Sequence, residues 1–318
     1  MPEIAEPVDL AVGRRLNPEA VGWSRRALHR TDLPRTGRVK RWEYWGIMTR
    51  RFVLGLTIAD LDYANLTQIY AYDRMRHHEV SLDTTGLGPL RPGLPDGLPP
   101  ITATSGPLTF SDHGRGTRIR VEHERVKVAL EAVGGDDGLG VVVPWSPRRF
   151  QYTLKELARP LSGTIEVDGE REAVVAGWGV LDRGRGVWPY RMTWNWGAGS
   201  GDVAGRRLGL QVGGKWTDGT GQTENGLFVD GRLHHWDDDL AWEYDLEDPT
   251  STWTVTGPDV EAVLTPFHRR VASTNAGVIA SRTHQAFGRW SGWARGGRGI
   301  EYRLDGLLGW AEQAHNRW

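Results

Sequence analysis

The chain has 318 residues, carries 39 Lys and Arg against 40 Asp and Glu for a net charge of -1, and contains no cysteine. Disulfides, cysteine-ligated zinc and thiol nucleophiles are therefore excluded. The arginine pairs Arg14-Arg15, Arg25-Arg26 and Arg50-Arg51 are short and well separated, so no nucleic-acid-binding stripe is expected.

Met1–Leu16 has acidic residues and no apolar run, so no leader peptide is expected. No stretch reaches the roughly 20 apolar residues of a membrane-spanning helix, and a cytoplasmic protein is the expectation. Short runs of Val, Ile, Thr and aromatic residues, punctuated by 42 Gly and 17 Pro, predict a chain made mostly of β-hairpins. In chain order, strands are predicted over Arg41–Thr49, Phe52–Asp60, Thr67–Asp73, Arg118–Glu122, Val126–Glu131 and Phe150–Leu157. Gly86–Pro100 reads as a loop rich in Gly, Pro and Leu, and Gly134–Gly140 as a polar turn. The second half predicts strands over Tyr190–Trp196, Arg207–Val212, Thr223–Val229, Leu233–Trp236, Trp253–Thr256, Glu261–Pro266, Gln285–Trp293 and Ile300–Leu304. Asp168-Gly169, Asp218-Gly219, Asp230-Gly231 and Asp305-Gly306 supply the positive φ of tight turns. One short helix is predicted, Leu308–Asn316, with Leu308, Ala311 and His315 on one side.

This is more strand than one open twisted sheet holds. An all-β fold of two antiparallel barrels or sandwiches is predicted. The N-terminal domain spans residues 1–165, and the C-terminal domain spans residues 166–318 and carries the short helix. The boundary falls between Arg159 and Trp178.

Sixteen Trp against six Phe is an unusual ratio. Each buried indole needs a partner for its N–H, so such a protein either packs an aromatic β-core with polar company or lines a cavity. Met192-Thr-Trp-Asn-Trp-Gly-Ala-Gly-Ser-Gly201 and Gln222-Thr-Glu-Asn-Gly-Leu-Phe-Val-Asp-Gly231 concentrate that combination. The glycine run lacks the Lys-Ser/Thr of a phosphate loop and has Asp202 where a dinucleotide fingerprint needs its third glycine, so it reads as a backbone turn. No Gly-x-Ser-x-Gly elbow surrounds Ser200 or Ser291. His234-His235 and His77-His78 are adjacent pairs whose side chains diverge on a strand, so no metal and no cofactor are expected.

Acid/base chemistry by carboxylates remains. Glu43 shares a strand face with Trp45, where desolvation among aromatics suits a general acid; pairing with Lys40 or Arg41 is the structural alternative. Asp60 and Asp62 point the same way if their strand continues, or else they form a turn. Glu224 is the leading acid or base, beside Gln222 and Asn225, unless it is a buried structural carboxylate paired with Arg191 or Arg289. Trp45, Tyr63, Trp194, Asn195, Trp196, Gln222, Asn225 and Arg289 are the expected substrate contacts.

Several of these segments resemble one family. They are Gly37-Arg-Val-Lys-Arg-Trp-Glu-Tyr-Trp-Gly46, Asp60-Leu-Asp-Tyr63, Trp194-Asn-Trp196, Thr223-Glu-Asn225, Val229-Asp-Gly231, Leu264-Thr-Pro266, Ala286-Phe-Gly-Arg-Trp-Ser-Gly292 and Gly309-Trp-Ala-Glu312 with His315, Arg317 and Trp318. The chain resembles the domain of unknown function numbered 2804 from about Gly22 to its last residue. More distantly, Trp42-Glu-Tyr-Trp45 is similar to the Glu-Trp-Trp-Tyr opening of carotenoid 1,2-hydratase and AttH-like proteins. That likeness implies two lipocalin-like barrels and enzymes acting on terpenoid or polyketide-like ligands. The expectation is a cofactor-independent enzyme with an aromatic-lined cavity, using Glu224, Asp62 or Glu43 on an apolar or glycosylated small molecule. Hydration, isomerisation and cyclisation fit. A glycoside hydrolase with paired carboxylates and a non-catalytic lipid or metabolite carrier are the alternatives.

Overall fold

The structure, a computed structural model, describes residues 1–87, 92–248, 250–276 and 279–317. It divides into two compact units, Pro2–Trp188 and Pro189–Trp318 with Met1.

The first unit opens with the short strands β1 (Val8–Asp9), β2 (Ala11–Val12), β3 (Arg15–Leu16), β4 (Trp23–Ser24) and β5 (His29–Arg30). An antiparallel meander follows: β6 (Val39–Thr49), β7 (Phe52–Asp60), β8 (Ala64–Asp73) and β9 (His78–Leu87). Then come β10 (Thr102–Ser105), β11 (Leu108–His113), β12 (Gly116–Glu122), β13 (Val126–Val133), β14 (Leu139–Ser146), β15 (Arg149–Val167), β16 (Glu170–Val174) and β17 (Gly177–Val187). They form a thirteen-stranded sheet whose main path runs β10-β11-β12-β13-β15-β17-β6-β7-β8-β9.

The sheet turns on β15. Ala158 has φ 50°, and the pairing with β17 shifts register between Glu156 and Arg159, the mark of a bulge that bends a strand. Beyond Pro160 the strand leaves β17 and pairs with β13 and β16. The two arms thus enclose Trp45, Leu56, Ile69, Phe110, Ile119, Val128 and Ile165 in one core. The interval Arg159–Trp178, where a boundary is expected, is filled by the end of β15, β16 and the start of β17, all paired inside this unit. Of the loop expected over Gly86–Pro100, Gly86 and Leu87 instead complete the ladder of β9 on β8. Residues 88–91 lie outside the described residues.

The second unit contains β18 (Arg191–Val203), β19 (Arg206–Gly214), β20 (Asn225–Val229), β21 (Arg232–Trp236), β22 (Ala241–Glu243), β23 (Trp253–Gly257), β24 (Val260–Ala276), β25 (Ile279–Arg295), β26 (Glu301–Arg303) and β27 (Leu307–Arg317). These make a ten-stranded antiparallel sheet over a core of Leu210, Val212, Leu227, Trp253, Leu264 and Trp290. The helix expected at Leu308–Asn316 is instead β27. The segment lies between β18 and β25, and its backbone is paired on both sides. Leu307 and Ala311 face the core, while Trp310, Glu312 and Ala314 are buried on the other face, so the period is two. Among the described residues no helix is long and apolar enough to cross a membrane.

Tryptophan and glycine meet face to face in both units. The Trp42 ring covers Gly184, so that an added Cβ would overlap it. A Cβ on Gly199 would stand 2.6 Å from Trp290, and one on Gly197 3.0 Å from the same ring. Gly179 and Gly214 seat Trp45 and Trp242 in the same way.

Candidate functional site

In the first unit, strand alternation puts Arg41, Glu43 and Trp45 on one face of β6, with Arg183 opposite Glu43 and Arg185 opposite Arg41 on β17. Glu43 is fully buried and lies between two guanidinium groups. Arg183 Nε donates to Oε1 at 3.0 Å, and Arg185 Nη2 stands 3.6 Å from the same oxygen. Arg183 also reaches Asp112 at 3.0 Å, and Arg41 reaches Asp96 at 3.2 Å. Burial opposes the charge on Arg183, yet Glu43 and Asp112 hold it above its ordinary range. Burial pulls Arg185 down to about 10, with Glu43 opposing. Glu43 is therefore held inside a buried ion-pair network, with its oxygens turned toward two guanidinium groups. Trp45 is also fully buried, packed in the core with Arg159 5.0 Å above its ring.

Strand β7 ends at Asp60, and Asp62 turns away with φ 71°. The two carboxylates do not continue along one strand face; they converge on Arg35, at 2.8 Å from Asp60 and 3.2 Å from Asp62. Asp62 also accepts hydrogen bonds from the backbone N–H groups of Thr36, Gly37 and Val39 at 2.9, 2.7 and 3.2 Å. This carboxylate shapes the segment that enters β6.

Beside it, Lys40 Nζ donates to the Tyr63 hydroxyl oxygen at 3.0 Å and lies 4.5 Å from the ring centroid. Lys40 is buried on the face of β6 opposite Glu43. Burial, reinforced by the nearby charge of Arg38 and opposed by Asp62 and Asp60, lowers its pKa from an ordinary 10.5 to about 7. Burial raises that of the half-buried Tyr63, against the pull of Arg38. The sequence marks Tyr63 as a substrate contact and Lys40 only as a partner for Glu43. Applied one residue earlier, strand alternation would have separated Lys40 from Glu43.

In the second unit, Trp194 and Trp196 share a face of β18 and Asn195 takes the other. Trp194 Nε1 donates to Glu312 Oε1 at 3.0 Å, and Gln285 Nε2 donates to Oε2 at 2.8 Å. Trp196 Nε1 donates to Gln211 Oε1 at 2.9 Å, and Gln211 Nε2 donates to the Glu224 carbonyl at 3.1 Å. Trp216 Nε1 donates to Glu224 Oε2 at 3.1 Å. Glu224 and Gln222 precede β20, which begins at Asn225 rather than at Thr223. Both are buried, and Gln222 donates to the Gly221 carbonyl while its own amide oxygen accepts no hydrogen bond among the described residues.

Asn195 donates to the Tyr244 hydroxyl at 3.1 Å. Asn225 ties Gly213 N–H to the Asp238 carbonyl, a structural clasp. Arg289 is exposed on β25, opposite Thr265 and Leu308. The expected set thus divides: Glu43, Trp45, Asp62 and Tyr63 belong to the first unit, the rest to the second. Glu312 was missed as a carboxylate because its segment reads as a helix; at period two it follows Trp310 onto the face of Trp194.

The architecture has counterparts among solved structures. CghA is 11% identical, with 88% of each chain covered and a TM-score of 0.51. Kievitone hydratase from Nectria haematococca is 10% identical over 91% of each chain, with a TM-score of 0.48. A structure assigned as AttH from Nitrosomonas europaea is 15% identical over 87% of this chain and 92% of its own, with a TM-score of 0.49. The likeness to CghA is one of fold: all-β, lipocalin-like, in two antiparallel sheets. No curated protein matches the chain. The family model for the domain of unknown function DUF2804 matches residues 1–318, and the chain belongs to that family.

Proposed function

We propose that the chain is a cofactor-independent enzyme that moves protons on a small organic molecule, in the hydratase, isomerase or cyclase class. The observation that carries this reading is the pair Lys40–Tyr63. An amine with a pKa of about 7 exchanges protons at neutral pH, and it stands 3.0 Å from a phenol that is itself only half buried. Tyr63 gives its proton to a substrate carbon or oxygen, and the Lys40 ammonium restores it. The neutral amine then takes the proton released when water or an internal nucleophile adds. The pair ends as it began, with no co-reactant beyond substrate and water.

A second reading keeps the carboxylates. Glu224 and Glu312 are both buried and each accepts an indole N–H, from Trp216 and Trp194 respectively. A carboxylate held by an indole can trade a proton with a bound molecule while the ring faces stabilise a developing cation.

The test starts with thermal-shift screening of the whole protein against terpenoids, fatty acids and glycosides, followed by product analysis of every hit. Turnover that survives Glu224→Gln, collapses in Tyr63→Phe and loses its pH limb near 7 in Lys40→Met supports the Lys40–Tyr63 reading. Collapse in Glu224→Gln alone transfers the chemistry to the second unit. A hit recovered unchanged with wild-type protein favours the carrier.

A further inference from the structure

A cavity of about 590 Å³ lies in the first unit, within the size range of small-molecule sites. Five arginines line it, Arg14, Arg15, Arg38, Arg148 and Arg149, and no carboxylate does. Among the described residues none of the five joins an ion pair; Arg149 donates to the carbonyl of Arg148. In a chain of net charge -1, this is a local excess of positive charge. Its remaining walls include Leu33, Phe150 and Val187, which belong to or pack against one small apolar cluster.

The walls are fixed by backbone hydrogen bonds. Arg14 and Arg15 follow Gly13, whose φ of +62° closes the β2–β3 hairpin. Leu16 N–H donates to the Pro147 carbonyl at 2.9 Å, which ties that hairpin to the β14–β15 turn carrying Arg148 and to Arg149, the first residue of β15. Asp62 pins the segment bearing Thr36 and Arg38. An arginine cluster on pinned backbone loses less freedom on binding than a mobile one, and guanidinium forks match phosphate or carboxylate oxygens.

We infer that this cavity binds a soluble anionic amphiphile, a phosphate or carboxylate group on an apolar body, with the head among the arginines and the body against Leu33, Phe150 and Val187. The inference goes beyond the proton-transfer reading and does not depend on it, because its readout is binding. A lipid headgroup in a membrane offers the same phosphate, so the test separates the two sources.

Titration calorimetry on the full chain compares monomeric octyl phosphate with inorganic phosphate and with octanol. We expect one molecule of octyl phosphate per chain, bound at least tenfold tighter than either half alone. The double charge reversal Arg14→Glu with Arg148→Glu should weaken it by at least tenfold. Both side chains are exposed, and Arg14→Gln alone, expected to lose severalfold, serves if the double variant does not fold. Equal binding of octanol, or affinity unchanged by the substitutions, overturns the inference. Co-sedimentation with phosphatidic acid vesicles without binding of monomeric octyl phosphate overturns it in favour of a membrane-facing patch.

Discussion

Replacing Lys40 by Met removes an ammonium group that the first unit buries beside a phenol. With the folded pKa at about 7 and the unfolded value at 10.5, the unfolded chain holds a proton between those pH values that the folded chain has released. Stability therefore climbs with pH across this window and is level on either side of it, as far as this group is concerned. Below pH 7 the folded state carries the full cost of the buried charge, about 4–5 kcal/mol from the 3.5-unit depression. Between pH 6 and pH 9 roughly 2–3 kcal/mol of that cost disappears. Urea unfolding of wild type and Lys40→Met at pH 6, 7.5 and 9 isolates the contribution, since other titrating groups cancel in the difference. Wild type should gain on the variant by that amount as pH rises. A difference that stays flat from pH 6 to pH 9, or that falls, would refute the burial argument and with it the claim that Lys40 exchanges protons near neutrality.

Two other perturbations follow from the same kind of reasoning. Arg183→Met strips Glu43 of its shortest ion pair in a buried site, which should cost about 3–5 kcal/mol in chemical denaturation, and adding Glu43→Gln should restore part of it. His29 is buried against the Tyr152 ring, and burial lowers its pKa to about 4, opposed by its hydrogen bond to the Ala20 carbonyl. The unfolded chain takes up this proton between pH 6.5 and pH 4 while the folded chain does not, so stability falls as pH drops through that interval. His29→Gln should remove about 2 kcal/mol of the loss between pH 7 and pH 4.5, read from the shift in urea midpoints.

Much of the fold was legible from runs of β-branched and aromatic residues bounded by turn residues. Phe52–Asp60 is predicted and found with the same limits, and Arg41–Thr49 lies inside β6. Leu139–Ser146 and Gly177–Val187 were not legible. Leu139–Ser146 offers a continuous apolar run without alternation, and Gly177–Val187 looks like a polar loop because its glycines seat other side chains, Gly184 under Trp42 and Gly186 beside Gln151. That second omission hid Arg183 and Arg185, so Glu43 read as an available acid when its partners lay on an unseen strand. Trp194, Trp196 and Glu224 stood out by composition. Gln211, Gln285 and Trp216, which join them, did not, because cross-strand partners come from register and register is set by pairing that a single sequence leaves open.

The indole rings seated on glycine give the skewed composition a meaning. Part of the Trp surplus and part of the Gly surplus are one trait: Trp42, Trp45, Trp242 and Trp290 each occupy volume that a glycine gives up. Substitution at such a place is a two-body event. A methyl group added at Gly199 collides with Trp290, and trimming Trp290 opens a void above Gly197 and Gly199, while a matched exchange of volumes leaves the layer filled. A designer who trims the tryptophans of this scaffold has to refill its glycines in the same step.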